Sequence, residues 1–96
     1  MSVFVSIDAK VKPGHYEKLK PFLEANLPRV RGFDGALSVS ILYDAQSDDF
    51  LIFEEWLSRE HHQKYIEFIT ANGVMAELVS FFQAPPPVKY LDRQEI

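Results

Sequence analysis

The sequence predicts an α+β fold: a ferredoxin-like split βαβ unit with a four-stranded antiparallel sheet and its helices on one face. Three observations predict it. Four short segments have the alternation or apolar content of strands. Two longer segments repeat apolar residues at steps of three and four, as amphipathic helices do. The order along the chain is strand, helix, strand, strand, helix (interrupted), strand. Right-handed crossovers close that order into the split βαβ arrangement. The 96 residues are read as one domain, 1–96, at 47% hydrophobic and 25% charged.

The first strand is expected over 3–11, where Val3, Val5, Ile7, Ala9 and Val11 share one face. "KPG" ends it. Residues 15–31 place Tyr16, Leu19, Leu23, Leu27 and Val30 on a helical stripe. Pro21 and Pro28 each remove a backbone donor, so a kink or break is expected there. After the turn "GFDG", residues 36–44 alternate Leu37, Val39, Ile41 and Tyr43 against Ser38 and Ser40, a second strand. "AQSDD" suits a hairpin loop, and 50–57 is the third strand. Ser58 is placed to cap a helix over 59–71, which "NG" stops. Residues 74–82 add a helical turn or two. "APPP" excludes helix and leads into a last strand over 88–92. Both faces of the first three strands carry apolar residues, and aromatics reach 14% of the chain. A second copy is therefore expected to cover the sheet face without helices, burying at least ~1,200 Å² in total.

Composition removes several function classes. Without Cys there is no disulfide, thiolate zinc site, iron–sulfur ligation or thiol nucleophile. A net charge of −4 without a basic run argues against nucleic acid. No apolar run reaches membrane-span length and the start lacks signal-peptide character, so a cytoplasmic protein is expected, with no membrane partner. The dinucleotide and phosphate-loop glycine patterns are absent, as is the G-x-S-x-G elbow.

The chemistry-bearing stretch is "FEEWLSREHHQKYIEF", residues 53–68. Alternation puts Phe50, Ile52, Glu54 and Trp56 on one face of the third strand and Leu51, Phe53, Glu55 and Leu57 on the other. Glu54 and Glu55 are expected at an exposed or dimer edge, since a buried one would need a partner such as Arg29, Arg31 or Arg59. Adjacent helical residues diverge by ~100°, so His61 and His62 cannot both face the core or converge on one metal ion. No metal site is expected. What remains is a pocket between helices and sheet that suits a flat aromatic ligand. Its candidate walls are Trp56, Tyr65, Ile52, Phe68 and Phe81, aromatics that at this spacing also serve as plain core. His62 is either a satisfied core histidine or the pocket's base, the one side chain there suited to proton transfer at neutral pH.

These residues carry a family resemblance. A strand ending in "EEW", a Ser cap, an amphipathic helix, a short helix and a proline-led strand, with "VKPG" before the first helix and "FDGALSVSILYD" before the hairpin, resemble the antibiotic biosynthesis monooxygenase domain over nearly the whole chain. The resemblance implies protomers that dimerise through their sheets into an α+β barrel. It implies, for some members, oxidation of quinols or polycyclic aromatics by O2 with no metal or flavin. It carries the family's strand-end Trp onto Trp56. Where many members have a helical His this chain has Tyr65, and where some cofactor-free members have a pocket aromatic it has His62. The haem-degrading relatives want an Asn on the first strand and a late helical His, and the chain offers Ser6, Ile7, Asp8, Tyr65 and Ile66 there. The function expected is a cofactor-independent monooxygenase for a small phenolic or quinol-like aromatic, with His62 catalytic. A non-catalytic binding or regulatory module is the alternative, and haem binding is a third.

Overall fold

The computed structural model describes all residues, Met1–Ile96. Seven elements follow in order: β1 (Val3–Lys10), α1 (Tyr16–Arg31), β2 (Ala36–Tyr43), β3 (Asp49–Trp56), α2 (Arg59–Ala71), α3 (Val74–Ser80) and β4 (Val88–Leu91). The strands form one antiparallel sheet in the order β2-β3-β1-β4, the ferredoxin-like arrangement.

Alternation decides what each strand buries. Val3, Val5 and Ile7 of β1, and Phe50, Ile52 and Trp56 of β3, are buried beneath the helices. Leu19, Leu23 and Val30 of α1 and Ile69 of α2 close the core from above. The helical stripe at steps of three and four is thus the face that loses water, worth about 1.5–3 kcal/mol for each fully buried Leu or Val.

The expected break in the first helix does not occur: α1 runs through both prolines. Pro21 and Pro28 lie seven apart on its exposed face. The carbonyls they leave without a donor belong to Glu17 and Glu24, both exposed residues, so water can serve them.

The second strand departs from simple alternation. A register shift between Ala36 and Ser38 sets Ala36 opposite Trp56 and turns Leu37 out into solvent. Beside it, Gly35 adopts φ +91°. The place its Cβ would take lies 2.5 Å from the His61 ring, so only glycine lets α2 begin this close to the turn. Ser58 caps α2 as expected, its Oγ accepting the His61 backbone N–H at 3.2 Å.

The sheet surface away from the helices carries apolar residues of its own, Tyr43 and Tyr90 not among them. Tyr43 and Tyr90 lie on the helix side, Tyr43 stacked 3.9 Å from Tyr16. The apolar surplus on the open face is instead Phe4, Leu42, Leu51, Phe53 and Leu91, with Phe4 and Phe53 stacked at 5.6 Å. No helix is long and apolar enough to cross a membrane.

Candidate active site: an apolar cavity with a buried carboxyl–imidazole pair

The site grows from two residues on β3. Positions 54 and 56 share the inward face, so the Trp56 side chain lies beside Glu54. Trp56 Nε1–H donates to Glu54 Oε1 at 2.7 Å. Glu54 is 4% exposed, which corrects the expectation of an exposed or edge carboxylate. Its partner is an indole, not an arginine. An indole costs less to desolvate than a guanidinium and still supplies one N–H to the carboxylate.

The Ser58 cap fixes the phase of α2 and points His62 down onto that carboxyl. His62 is 0% exposed. Its Nε2 lies 3.6 Å from Glu54 Oε1 and has no hydrogen-bond partner. Its Nδ1 lies 2.7 Å from the hydroxyl of Tyr90 on β4. The Trp56 and Tyr90 rings each meet the imidazole at 5.4 Å, close to edge-on. His61 turns away: its Nδ1 lies 2.7 Å from Ser58 Oγ and its Nε2 lies 4.0 Å from Asp34.

Glu54 and His62 stand in the wall of a cavity of about 60 Å³ between sheet and helices. Fourteen of its 17 lining residues are hydrophobic, so these two groups have little competition for a ligand's polar atoms. Burial acts on both. It pushes the His62 imidazolium down to about 4, leaving the ring neutral near pH 7. It raises the Glu54 carboxyl, opposed by the Trp56 hydrogen bond. The Tyr65 phenol is pushed up to about 12 by burial and then by the Glu54 charge. Burial thus lowers the proton affinity of the imidazole and raises that of the carboxyl, pressing each toward its neutral form. No cluster of three or more His, Cys, Asp or Glu is placed to hold a metal ion.

Of the candidate residues, Ile52, Tyr65 and His62 line this cavity. Trp56 does not; it is fully buried and reaches the cavity through Glu54. Phe68 is 54% exposed and lines an adjoining cleft with Phe33, which shares Tyr65 and Ile69 with the cavity. Phe81 packs on Phe22, whose ring lines the cavity, at 5.5 Å. Two residues were not anticipated here. Glu54 could have been found, because alternation already set it on the face of Ile52 and Trp56. Tyr90 could not, since its approach to His62 depends on β4 pairing beside β1.

Solved structures of the same architecture give this geometry a context. The chain superposes on an antibiotic biosynthesis monooxygenase with a TM-score of 0.83, at 14% identity, covering 99% of this chain and 100% of the other. The fold is that of antibiotic biosynthesis monooxygenase domains. A monooxygenase of this fold from Streptomyces coelicolor, in complex with the ligand nanaomycin D, gives a TM-score of 0.80 at 14% identity, with 99% and 89% covered. A conserved protein from Methanosarcina mazei gives 0.86 at 10% identity, with 98% and 94% covered. No family model matches the sequence, and no curated protein matches it. Antibiotic biosynthesis monooxygenase domains therefore lend this chain their architecture, and the chemistry must be argued from its own cavity.

Proposed function

We propose that the protein oxidises a small phenolic or quinol-like aromatic with O2, using no cofactor. The observation that carries this reading is the unpartnered Nε2 of a fully buried, neutral His62 beside a buried carboxyl in an apolar cavity. Oxygen reacts slowly with a neutral phenol and readily takes an electron from its anion. The protein's task is then to exclude water, remove one proton and hold the anion. The Glu54–His62 pair handles the proton, with His62 as base or as hydrogen-bond partner. Tyr65 and Ile52 set the ring's position, and Trp56 holds Glu54.

Cavity size favours a second reading. About 60 Å³ holds a few waters. It is well below the ~300–1,000 Å³ of usual ligand pockets. A substrate must part the wall, and α3 is the element suited to yield. It is seven residues long, buries none of them fully, and supplies Val74, Met75 and Leu78 to the cavity. If it yields only to bind, the protein is a non-catalytic small-molecule sensor on the same fold. Oxygen uptake with a panel of hydroquinones and anthrones, in protein freed of metal and flavin, separates the two. The oxidase reading predicts protein-dependent uptake with at least one compound and no product under anaerobic conditions. Binding without uptake across the panel overturns it in favour of the sensor.

The same proposal includes a homodimer through the open sheet face. Its support is the exposed apolar surface of Leu42, Phe53 and Leu91, which solvent does not favour. Light scattering at micromolar concentration is expected to give twice the protomer mass. A mass of one protomer would contradict it.

A further inference from the structure

A neutral imidazole carries one N–H, and its two nitrogens have opposite roles according to which one holds it. The surroundings of His62 make that choice. If the hydrogen were on Nδ1, it would donate to the Tyr90 oxygen, and the bare Nε2 would face Glu54 Oε1 lone pair to lone pair at 3.6 Å. If it is on Nε2, the N–H points at the carboxylate and the cavity, and Nδ1 accepts the Tyr90 O–H at 2.7 Å. Burial raises the Tyr90 phenol, so its hydroxyl keeps the proton it donates. While Glu54 is ionised, the second arrangement sets a donor rather than a lone pair opposite the carboxylate, and at 3.6 Å that N–H stays free for a ligand's oxygen.

We propose that Tyr90 is a positioning residue that fixes His62 in its Nε2–H form, so that the cavity offers an oxygen anion one N–H donor and takes its proton on Glu54. For the ligand this rests on the phenol-oxidation reading; the tautomer itself does not. In the step that follows, the phenol O–H bond breaks and an O–H bond forms on the Glu54 carboxylate. The electron pair stays on the phenolate oxygen, which accepts His62 Nε2–H. The cavity carries one negative charge before and after, so no new charge is created among its apolar walls. The raised Glu54 carboxyl stands nearer a phenol in proton affinity than an exposed carboxyl does. Tyr90 suits its role because its ring is held on more than one side: the Arg59 guanidinium lies 5.1 Å over it and the imidazole meets its edge.

The test is the ring ¹⁵N spectrum of His62 in the uniformly labelled full-length protein at pH 7, assigned by its loss in His62→Gln. The expected result is a protonated Nε2 and a bare Nδ1 in the wild type. In Tyr90→Phe, which keeps the ring and its packing, the second tautomer is expected to become populated. A wild-type ring protonated on Nδ1 overturns the proposal, and so does a Tyr90→Phe ring that stays wholly Nε2–H. Should Tyr90→Phe fail to fold, the wild-type spectrum still decides, Nε2–H supporting the proposal and Nδ1–H overturning it. Oxygen uptake plays no part in this readout, so a protein that oxidises nothing would sink the phenol reading and leave the tautomer result standing.

Discussion

Glu54→Gln is expected to lower the oxygen uptake rate by roughly 10²–10⁴, the usual contribution of a general base. The amide is nearly the same shape as the carboxyl and keeps an oxygen to accept the Trp56 N–H at Oε1. What it lacks is the ability to take a proton. Glu55→Gln is the control: the neighbouring carboxylate points to the other side of the sheet, where Ser2 Oγ donates to it at 2.6 Å, and the rate should not change. His62→Ala removes the N–H that holds the anion and is expected to cost roughly 10²–10³, as loss of one oxyanion donor does. His61→Ala, ~100° round the helix and facing Ser58 and Asp34, should leave the rate intact. Equal rates for Glu54→Gln and the wild type would place proton removal elsewhere.

Trp56→Ala is expected to destabilise the protein by about 3–5 kcal/mol, the range for truncating a buried Trp. The ring is fully buried, with Phe33 at 6.2 Å, Tyr65 at 5.4 Å and His62 at 5.4 Å. Its loss opens a cavity at the strand end and strips Glu54 of its only direct donor, leaving a buried carboxylate unpaired. Trp56→Phe separates the two effects: most of the packing stays and the N–H goes. It should cost less and push the Glu54 carboxyl further up. Urea midpoints at one fixed protein concentration measure both, since a dimer's stability depends on concentration. A cost for Trp56→Ala below about 1 kcal/mol would mean that the indole is not the keystone of this site.

Periodicity carried much of the fold. The apolar stripe of α1 and the inward face of β3 were legible because both bury one face against one core, and burial leaves a period in the sequence. Three features left no such mark. Whether Pro21 and Pro28 interrupt a helix depends on what their orphaned carbonyls meet, and exposure is a tertiary property. The shift at Ala36 and Ser38 depends on pairing with β3, so Leu37 read as inward and is not. Phe68 sits among the aromatics of α2 at helical spacing, yet it shares its cleft with Phe33 at 5.6 Å and leaves the cavity to Tyr65. Glu54 is a different kind of miss. Its position on the buried face was readable, and a general rule about carboxylates outweighed it. Local rules are broken at functional sites more often than elsewhere.

Burial of His62 also sets how stability responds to acid. In the unfolded chain a His takes a proton near pH ~6.5, whereas folded His62 resists until about 4. The unfolded state therefore binds more protons in this window. Stability is lost as pH falls from ~6.5 toward about 4, by ~3 kcal/mol from this group alone. Glu54 works in the opposite sense: its raised carboxyl favours the unfolded state at higher pH and regains stability as it protonates in the fold.

Whether a neutral imidazole stands against a carboxyl in an apolar cavity is decided by a pH titration of the His62 ring by NMR. His62 is expected to stay largely unprotonated as pH falls from 8 past ~6.5 and to reach its midpoint at about 4. A midpoint near the ordinary ~6.5 would contradict it, because burial would then be offset, by the Glu54 carboxylate 3.6 Å away or by solvent, and the ring would not be held neutral.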